Sequence, residues 1–318
     1  MTLHDSLTNN EEKCVQWAVD NNLLPKSNTI DCPRCKKAGR KGKMKLSNVS
    51  ESQQRKNNLI FKCVGGGRAC QYRASPFKGT FFDGVSCKLP ISTVLNLLYF
   101  WSQKTQVDKT AHETNTNEKT VVDYFNYFRE VCAVKNAERG DNIIGGEGII
   151  VEIDESKFFK RKYNKGRCLV GMDHKQGWVF GGIERDSKKF FMVIVPDRTI
   201  ATLNPIIHHY IKPGTTIMSD EWKAYDCLQN EGYNRGTVCH KRNFVSPDDP
   251  QVHTQNIEIL WKYAKRNYPR NSTSDDMKEG YLQEYMYRKL HGKNIVNQMI
   301  HDIADMFNGN EYWDNLES

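Results

Sequence analysis

The hydrophobic pattern changes period along the chain, and each change marks a new element. Residues 11–23 repeat apolar positions at helical spacing and stop before Pro25, which predicts a short helix. Leu59-Ile60-Phe61-Lys62 and Tyr72-Arg73 read as short strands. From Leu89 to Ala137 the period is again helical. Ile91, Val94, Leu95, Leu98 and Trp101 form one stripe. Thr105 is placed to cap a second helix over Gln106–Glu113. After a polar turn at Asn115-Thr116-Asn117, Val121, Val122, Phe125, Phe128 and Val131 form a third stripe. Beyond Gly145-Gly146 the period drops to two. Ile149, Val151 and Ile153 alternate with Ile150, Glu152 and Asp154, a strand pattern. Trp178–Ile183, Phe190–Val195 and Thr215–Asp220 follow as strands, with a helix at Leu203–Tyr210. Helical spacing then returns in His253–Arg266, where Ile257, Leu260, Trp261 and Ala264 share a face, Thr254 is placed as N-cap and Pro269 ends the run. Two further helices within residues 274–307 are expected to cover the sheet, ahead of a polar, mobile tail from 308 to 318.

Three strands, a helix, a strand and then a helix is the order of an RNase H-like α/β core. In that architecture, acids at the ends of strands one and four meet an acid on the following helix. Asp154, Asp220 and Glu258 occupy those places. Read alone, the 253–266 helix is equally an ordinary surface helix with a Glu258–Lys262 pair at i, i+4 spacing.

Composition changes the picture in two places. The net charge of +8 is uneven: residues 31–78 hold 13 Lys/Arg against two acids, whereas residues 148–318 hold 24 against 23. A densely basic N-terminal module suggests a phosphate backbone as partner. The ten cysteines include Cys32-Pro33-Arg34-Cys35 and, further on, Cys63 and Cys70 either side of a glycine loop. Two such pairs form the pattern of a zinc ribbon with one structural Zn²⁺, the alternative being a redox Cys-x-x-Cys. Cys14, Cys87, Cys132, Cys168, Cys227 and Cys239 have no partner at ligand spacing and are expected in the core. A mean hydropathy of -0.69 and the lack of a long apolar run argue against a membrane span, and residues 1–6 lack the features of a secretory signal.

The three helices between 88 and 140 are expected to form a helix-turn-helix, with Lys119, Thr120 and Asp123 facing a DNA groove; a generic helical bundle fits the same pattern. The domain order expected is thus a helical segment over 1–30, a zinc ribbon over 31–80, the helix-turn-helix over 88–140, and the catalytic core over 146–307.

Asp154-Glu155-Ser156-Lys157, Val195-Pro196-Asp197-Arg198-Thr199, Pro213-Gly214-Thr215, Ser219–Tyr225 and His253–Glu258 with Trp261 resemble the motifs of Merlin superfamily transposases and their bacterial insertion-sequence relatives. The resemblance runs from about residue 148 to 292, and more loosely across the ribbon and helix-turn-helix. It implies a DDE transposase that cuts and pastes its element, with Asp154, Asp220 and Glu258 as catalytic acids. The acids would hold two Mg²⁺ or Mn²⁺ ions, whose hard-cation chemistry prefers oxygen donors. Some relatives carry Asn as third member, which keeps Asn256 in view. The chain departs from the family at Cys239-His240-Lys241-Arg242, where Asn-His-Ser is more usual, and the role of His240 stays open.

Lys160, Arg161, Lys162, Lys262, Lys265 and Arg266 are expected to hold DNA by its phosphates. The partners implied are double-stranded DNA, as element ends and target, and at least a second copy of the chain. The location implied is the nucleus of a eukaryotic host, or otherwise the cytoplasm. Two rivals remain: an RNase H-like nuclease that cannot join strands, and a host-adopted DNA-binding protein with a vestigial catalytic domain.

Overall fold

The computed structural model describes residues 11–48, 59–65, 70–83, 89–140, 142–158, 177–220, 228, 231–238, 253–269, 275–307 and 312–313. The chain divides into two compact units, residues 1–131 with 291–318, and residues 132–290.

In the first unit, helix α1 spans Glu11–Asp20 and α2 spans Pro33–Lys37. Strands β1 (Lys43–Asn48), β2 (Leu59–Val64) and β3 (Arg73–Ala74) form an antiparallel sheet in that order. Met44 and Phe61 fill its small core. Trp313 is buried there too, its ring edge-on to Phe61 at 5.9 Å between centroids. The end of the chain was expected to be a polar, mobile tail; Tyr312 and Trp313 instead supply apolar area that so small a ribbon lacks by itself.

Helix α3 (Ile91–Ser102) buries the expected stripe. Pro90 stands at its N-cap and has no capping side chain, and the Glu11 carboxylate accepts from the N–H groups of Ile91 and Ser92 at 2.7 and 3.1 Å. Helix α4 spans Val107–Glu113 and starts one residue later than the sequence pattern suggested, with Gln106 rather than Thr105 at its N-cap. Asn115 takes a left-handed turn (φ 50°), and Asn117 Oδ1 accepts from the Thr120 N–H at 2.7 Å, starting α5 (Glu118–Arg139). Two helices joined by a tight turn are the elements that a helix-turn-helix requires. Helix α9 (Ile295–Met306) packs on α3. It was expected to cover the sheet of the catalytic core, but its apolar face belongs to the first unit.

In the second unit, β5 (Ile150–Lys157), β6 (Trp178–Glu184) and β7 (Phe190–Val195) form an antiparallel meander. Strand β4 (Ile144–Gly145) precedes them and pairs with β8 (Ile211–Lys212). Helix α6 (Ile200–Tyr210) leads to β9 (Thr216–Asp220), which returns parallel to β5, and β10 (Asn234–Val238) adds a further parallel strand. The sheet order β10-β9-β5-β6-β7 is the topology of an RNase H-like fold. One face of the sheet packs on α6 through Ile153, Phe180, Phe191, Leu203 and Ile207. The other packs on α7 (Gln255–Asn267) and α8 (Asp275–His291) through Val179, Ile183, Trp261, Leu282 and Met286. Strand β10 has no strand-like sequence pattern, because Asn234, Arg235 and Gly236 interrupt any apolar alternation.

Candidate active site and metal centre

Strand β5 turns alternate residues to its two faces. Val151 and Ile153 enter the α6 core, which sends Glu152, Asp154 and Ser156 toward α7. Each of the three meets α7 in turn. Glu152 accepts from the backbone N–H groups of Asn256 (2.8 Å) and Ile257 (3.1 Å) and from Asn256 Nδ2 (2.8 Å). Asp154 Oδ2 accepts from the indole N–H of Trp261 at 2.9 Å, and Ser156 Oγ accepts from Lys265 Nζ at 2.7 Å.

Trp261 reaches Asp154 because the residue paired with Asp154 on β6 is Gly181. A Cβ there would stand 2.6 Å from the indole and 2.9 Å from the Phe191 carbonyl. Phe158, just beyond β5, closes the other side, edge-on to Trp261 at 5.6 Å and with Lys265 Nζ 5.5 Å from its ring centre.

The register of β5 against β9 runs Ile150↔Thr216 to Glu152↔Met218. Asp154 and Asp220 each lie two residues further along, so by this register their backbones are level. Asp220 ends β9, whereas β5 runs on past Asp154 to Lys157, so Asp154 does not sit at the strand end expected of it. The side chain of Asp220 lies outside the described residues. Glu258 is exposed, and among the described residues its carboxylate has no hydrogen bond or ion pair; the Glu258–Lys262 pair that helical spacing allows is not formed. Seven residues separate Glu258 from Lys265, which brings the two within about 20° of each other around the helix. Lys265 bonds to β5, so Glu258 lies on the flank of α7 that faces this strand.

Asn256 lies elsewhere. Its side chain donates to Glu152 and accepts from Lys188 Nζ at 2.7 Å, about 200° around the helix from Glu258. The expected N-cap residue is in place, but its side chain does not do the capping. Thr254 holds the N-cap position, yet the first-turn N–H groups are taken by Glu152. Glu152 is the participant that sequence reasoning missed, since it reads only as the polar half of an alternating strand. Lys262, Lys265 and Arg266 are exposed on α7, whereas Lys160, Arg161, Lys162 and His240 lie outside the described residues.

The Val195–Thr199 motif is accounted for by packing. Asp197 Oδ1 accepts from the Thr199 N–H and from the hydroxyls of Thr199 and Thr202, fixing the turn that leads into α6. Arg198 lies over the Trp178 ring at 4.3 Å and 3.9 Å from Glu155.

In the first unit, the four cysteines Cys32, Cys35, Cys63 and Cys70 converge, their sulfurs all within 4.8 Å of one another. Cys32–Cys70 and Cys35–Cys63 are 3.7 and 3.6 Å apart. Four sulfurs held about 2.3 Å from one tetrahedral ion would lie about 3.8 Å apart, so the set fits zinc. Helix α2 brings Cys35 back beside Cys32, and Gly42 keeps its backbone clear, since a Cβ there would meet the sulfurs of Cys35 and Cys63 at 2.8 and 3.0 Å. The backbone N–H of Tyr72 holds the Cys70 thiol down at about 7, and burial pushes those of Cys35 and Cys63 up. Cys14 and Cys132 are buried, as expected of core cysteines.

Residues 144–289 match the model of the ISXO2-like transposase domain. An uncharacterized transposase-like protein of Haemophilus influenzae is 29% identical over 101 residues, 31% of this chain and 80% of that protein. Among solved structures, a pre-cleavage Mos1 transpososome and a Mos1 strand transfer complex are 8% and 9% identical, over 71% and 70% of this chain and 79% and 76% of theirs. Their TM-scores of 0.27 and 0.28 are too low to carry an argument, and the fold rests on the strand order above. Residues 144–289 are thus similar to an ISXO2-like transposase domain, the stretch in which the sequence motifs of DDE transposases were found.

Proposed function

We propose that the chain is a cut-and-paste DNA transposase of Merlin type, which cleaves at its element's ends and joins them to target DNA. The supporting observation is the level placement of Asp154 and Asp220 on adjacent parallel strands, beside the flank of α7 that carries Glu258. Asp154, Asp220 and Glu258 would hold two divalent ions, Mg²⁺ or Mn²⁺; their all-carboxylate donors are the hard oxygen ligands such ions prefer. Bound there, the ions supply activation of the attacking oxygen and compensation of charge on the leaving one.

The chain's own residues do the rest. Trp261 fixes one oxygen of Asp154, so the carboxylate is oriented before substrate arrives. Lys262, Lys265 and Arg266, with the 160–162 run, hold the strand by its phosphates. The four-cysteine ribbon with its Zn²⁺ and the helix-turn-helix, through Lys119 and Thr120, supply recognition of the ends. Joining two ends requires at least two copies of the chain.

The test is a strand-transfer assay with Mg²⁺ and a duplex bearing the element's ends. Cleaved and joined products are expected. Cleavage without joining would make the chain a nuclease, and binding without either would make it a DNA-binding protein alone. Glu258→Gln is expected to abolish both reactions while binding to the ends persists.

A further inference from the structure

We propose that Glu152 is a positioning residue whose buried carboxylate sets where α7 begins on the sheet, and so where Glu258 stands relative to Asp154. The inference rests on reading Glu258 as the third acid.

Glu152 is fully buried. A carboxylate in that position is costly unless every lone pair is used. One oxygen takes Arg185 Nε at 2.8 Å and Asn256 Nδ2 at 2.8 Å; His253 Nδ1 lies 3.3 Å from it but makes no hydrogen bond. The other takes the N–H groups of Asn256 and Ile257. Arg185 also donates to the His253 carbonyl, tying the residues before the helix to the same point. A cap made by Thr254 would satisfy the first turn wherever the helix lay. A cap from β5, more than a hundred residues earlier, satisfies it in one place only.

The spacing supports this. Along β5, Glu152, Asp154 and Ser156 are each about 6.7 Å apart. Along α7, the step from the Asn256/Ile257 N–H pair to Trp261 is about 6.8 Å, and from Trp261 to Lys265 about 6 Å. Strand and helix therefore form a ladder whose rungs match in pitch. Glu258 lies between the first rung and the second. Loss of the first rung frees the turn that carries Glu258, while Trp261 and Lys265 keep the rest of α7 in place.

The experiment is Mn²⁺-dependent nicking of a supercoiled plasmid by the full chain. With Glu152→Gln, the Mn²⁺ concentration for half-maximal rate is expected to rise tenfold or more, with the rate at saturating Mn²⁺ within threefold of wild type. Should that variant fail to fold, Asn256→Ala removes one donor to Glu152, together with the exposed Lys188 contact, and is expected to shift half-saturation about threefold. Ile207→Val, on the opposite face of the sheet, lowers stability without touching α7 and is expected to leave half-saturation unchanged. Unshifted half-saturation in both Glu152→Gln and Asn256→Ala, or an equal shift in Ile207→Val, overturns the proposal. Glu258→Gln separates the two levels. If it nicks normally, the third-acid reading falls and this inference with it. If it is inactive while the other variants are unshifted, this inference alone falls.

Discussion

The indole N–H of Trp261 donates to Asp154 Oδ2 at 2.9 Å, and Trp261 is itself 2% exposed. A hydrogen bond from a buried donor to a carboxylate contributes about 1.5–3 kcal/mol. Trp261→Phe keeps most of the ring packing and removes the donor. If Asp154 holds a metal ion as proposed, loss of the residue that orients it should cost about 10–100-fold in activity. Nicking is expected to fall within that range, with the melting temperature lower by a few degrees. A variant with wild-type activity would show that Asp154 needs no such support.

Gly181→Ala tests the other side of the same contact. The added Cβ meets the Trp261 ring and the Phe191 carbonyl, and the carbonyl belongs to the β7 ladder and cannot step aside. Overpacking of this kind costs about 1–3 kcal/mol. Urea denaturation is expected to show that loss, together with reduced nicking, since the indole must shift off Asp154. Unchanged stability would mean that the sheet opens here more easily than its pairing implies.

Much of this arrangement was legible in the sequence. Asp220 closes an apolar run and its strand, and Glu258 sits beside an apolar stripe, so one strand end and the helix face could be assigned by period alone. Asp154 also closes an apolar run, but β5 continues to Lys157. What could not be read were contacts with no periodic signal. Glu152 looks like any solvent-facing strand residue until α7 covers it. Gly181 reads as a weak point in a strand, yet it is the space that Trp261 fills. Strand β10 lacks apolar alternation because its position depends on backbone pairing with β9. Trp313 lies in a polar segment, so composition masked a core residue. The second apolar helix near the end of the chain predicted burial correctly, but an amphipathic face does not say which core it joins.

Zinc content gives a direct check on the ribbon. One Zn²⁺ per chain is expected in freshly purified protein, and the Cys32→Ser, Cys35→Ser double variant should carry none. Because β1, β2 and β3 enclose few apolar side chains, metal removal by a chelator should expose Phe61 and Trp313 and unfold the ribbon. Full zinc occupancy in the double variant would rule out this ligand set.

Tyr285 gives the expected pH dependence. It is buried between α8 and the sheet, and its hydroxyl has no hydrogen-bond partner among the described residues. Burial first, with Tyr263 adding to it, pushes its pKa up to about 12. The neutral form is therefore favoured in the folded chain. Its contribution is fully present below about pH 10, the unfolded value, and is lost as pH rises toward 12. Tyr285→Phe is expected to leave the melting temperature at pH 7 unchanged or slightly higher. It should also flatten the alkaline fall, leaving the part due to Tyr210 and Tyr233, whose pKa values burial also raises. A fall identical to wild type above pH 10 would assign the whole effect to other groups.

The last prediction concerns the start of α5. Val121, Phe125 and Phe128 are buried, while Lys119 is exposed and Thr120 is half-buried, its N–H held by Asn117. If this turn presents α5 to a DNA groove, the two residues should act differently. A lysine on a phosphate adds affinity without reading sequence, so Lys119→Ala should weaken end-bearing and random duplexes alike. It should also lower the slope of log affinity against log salt by about 0.9. A hydroxyl on a base edge reads sequence, so Thr120→Val should cost about 1–3 kcal/mol on the end-bearing duplex and little on the random one. Fluorescence titrations with both duplexes at two salt concentrations separate these outcomes. If neither variant changes affinity, slope or preference, α4 and α5 form a bundle with no groove contact at this turn, and recognition of the ends passes to the basic ribbon.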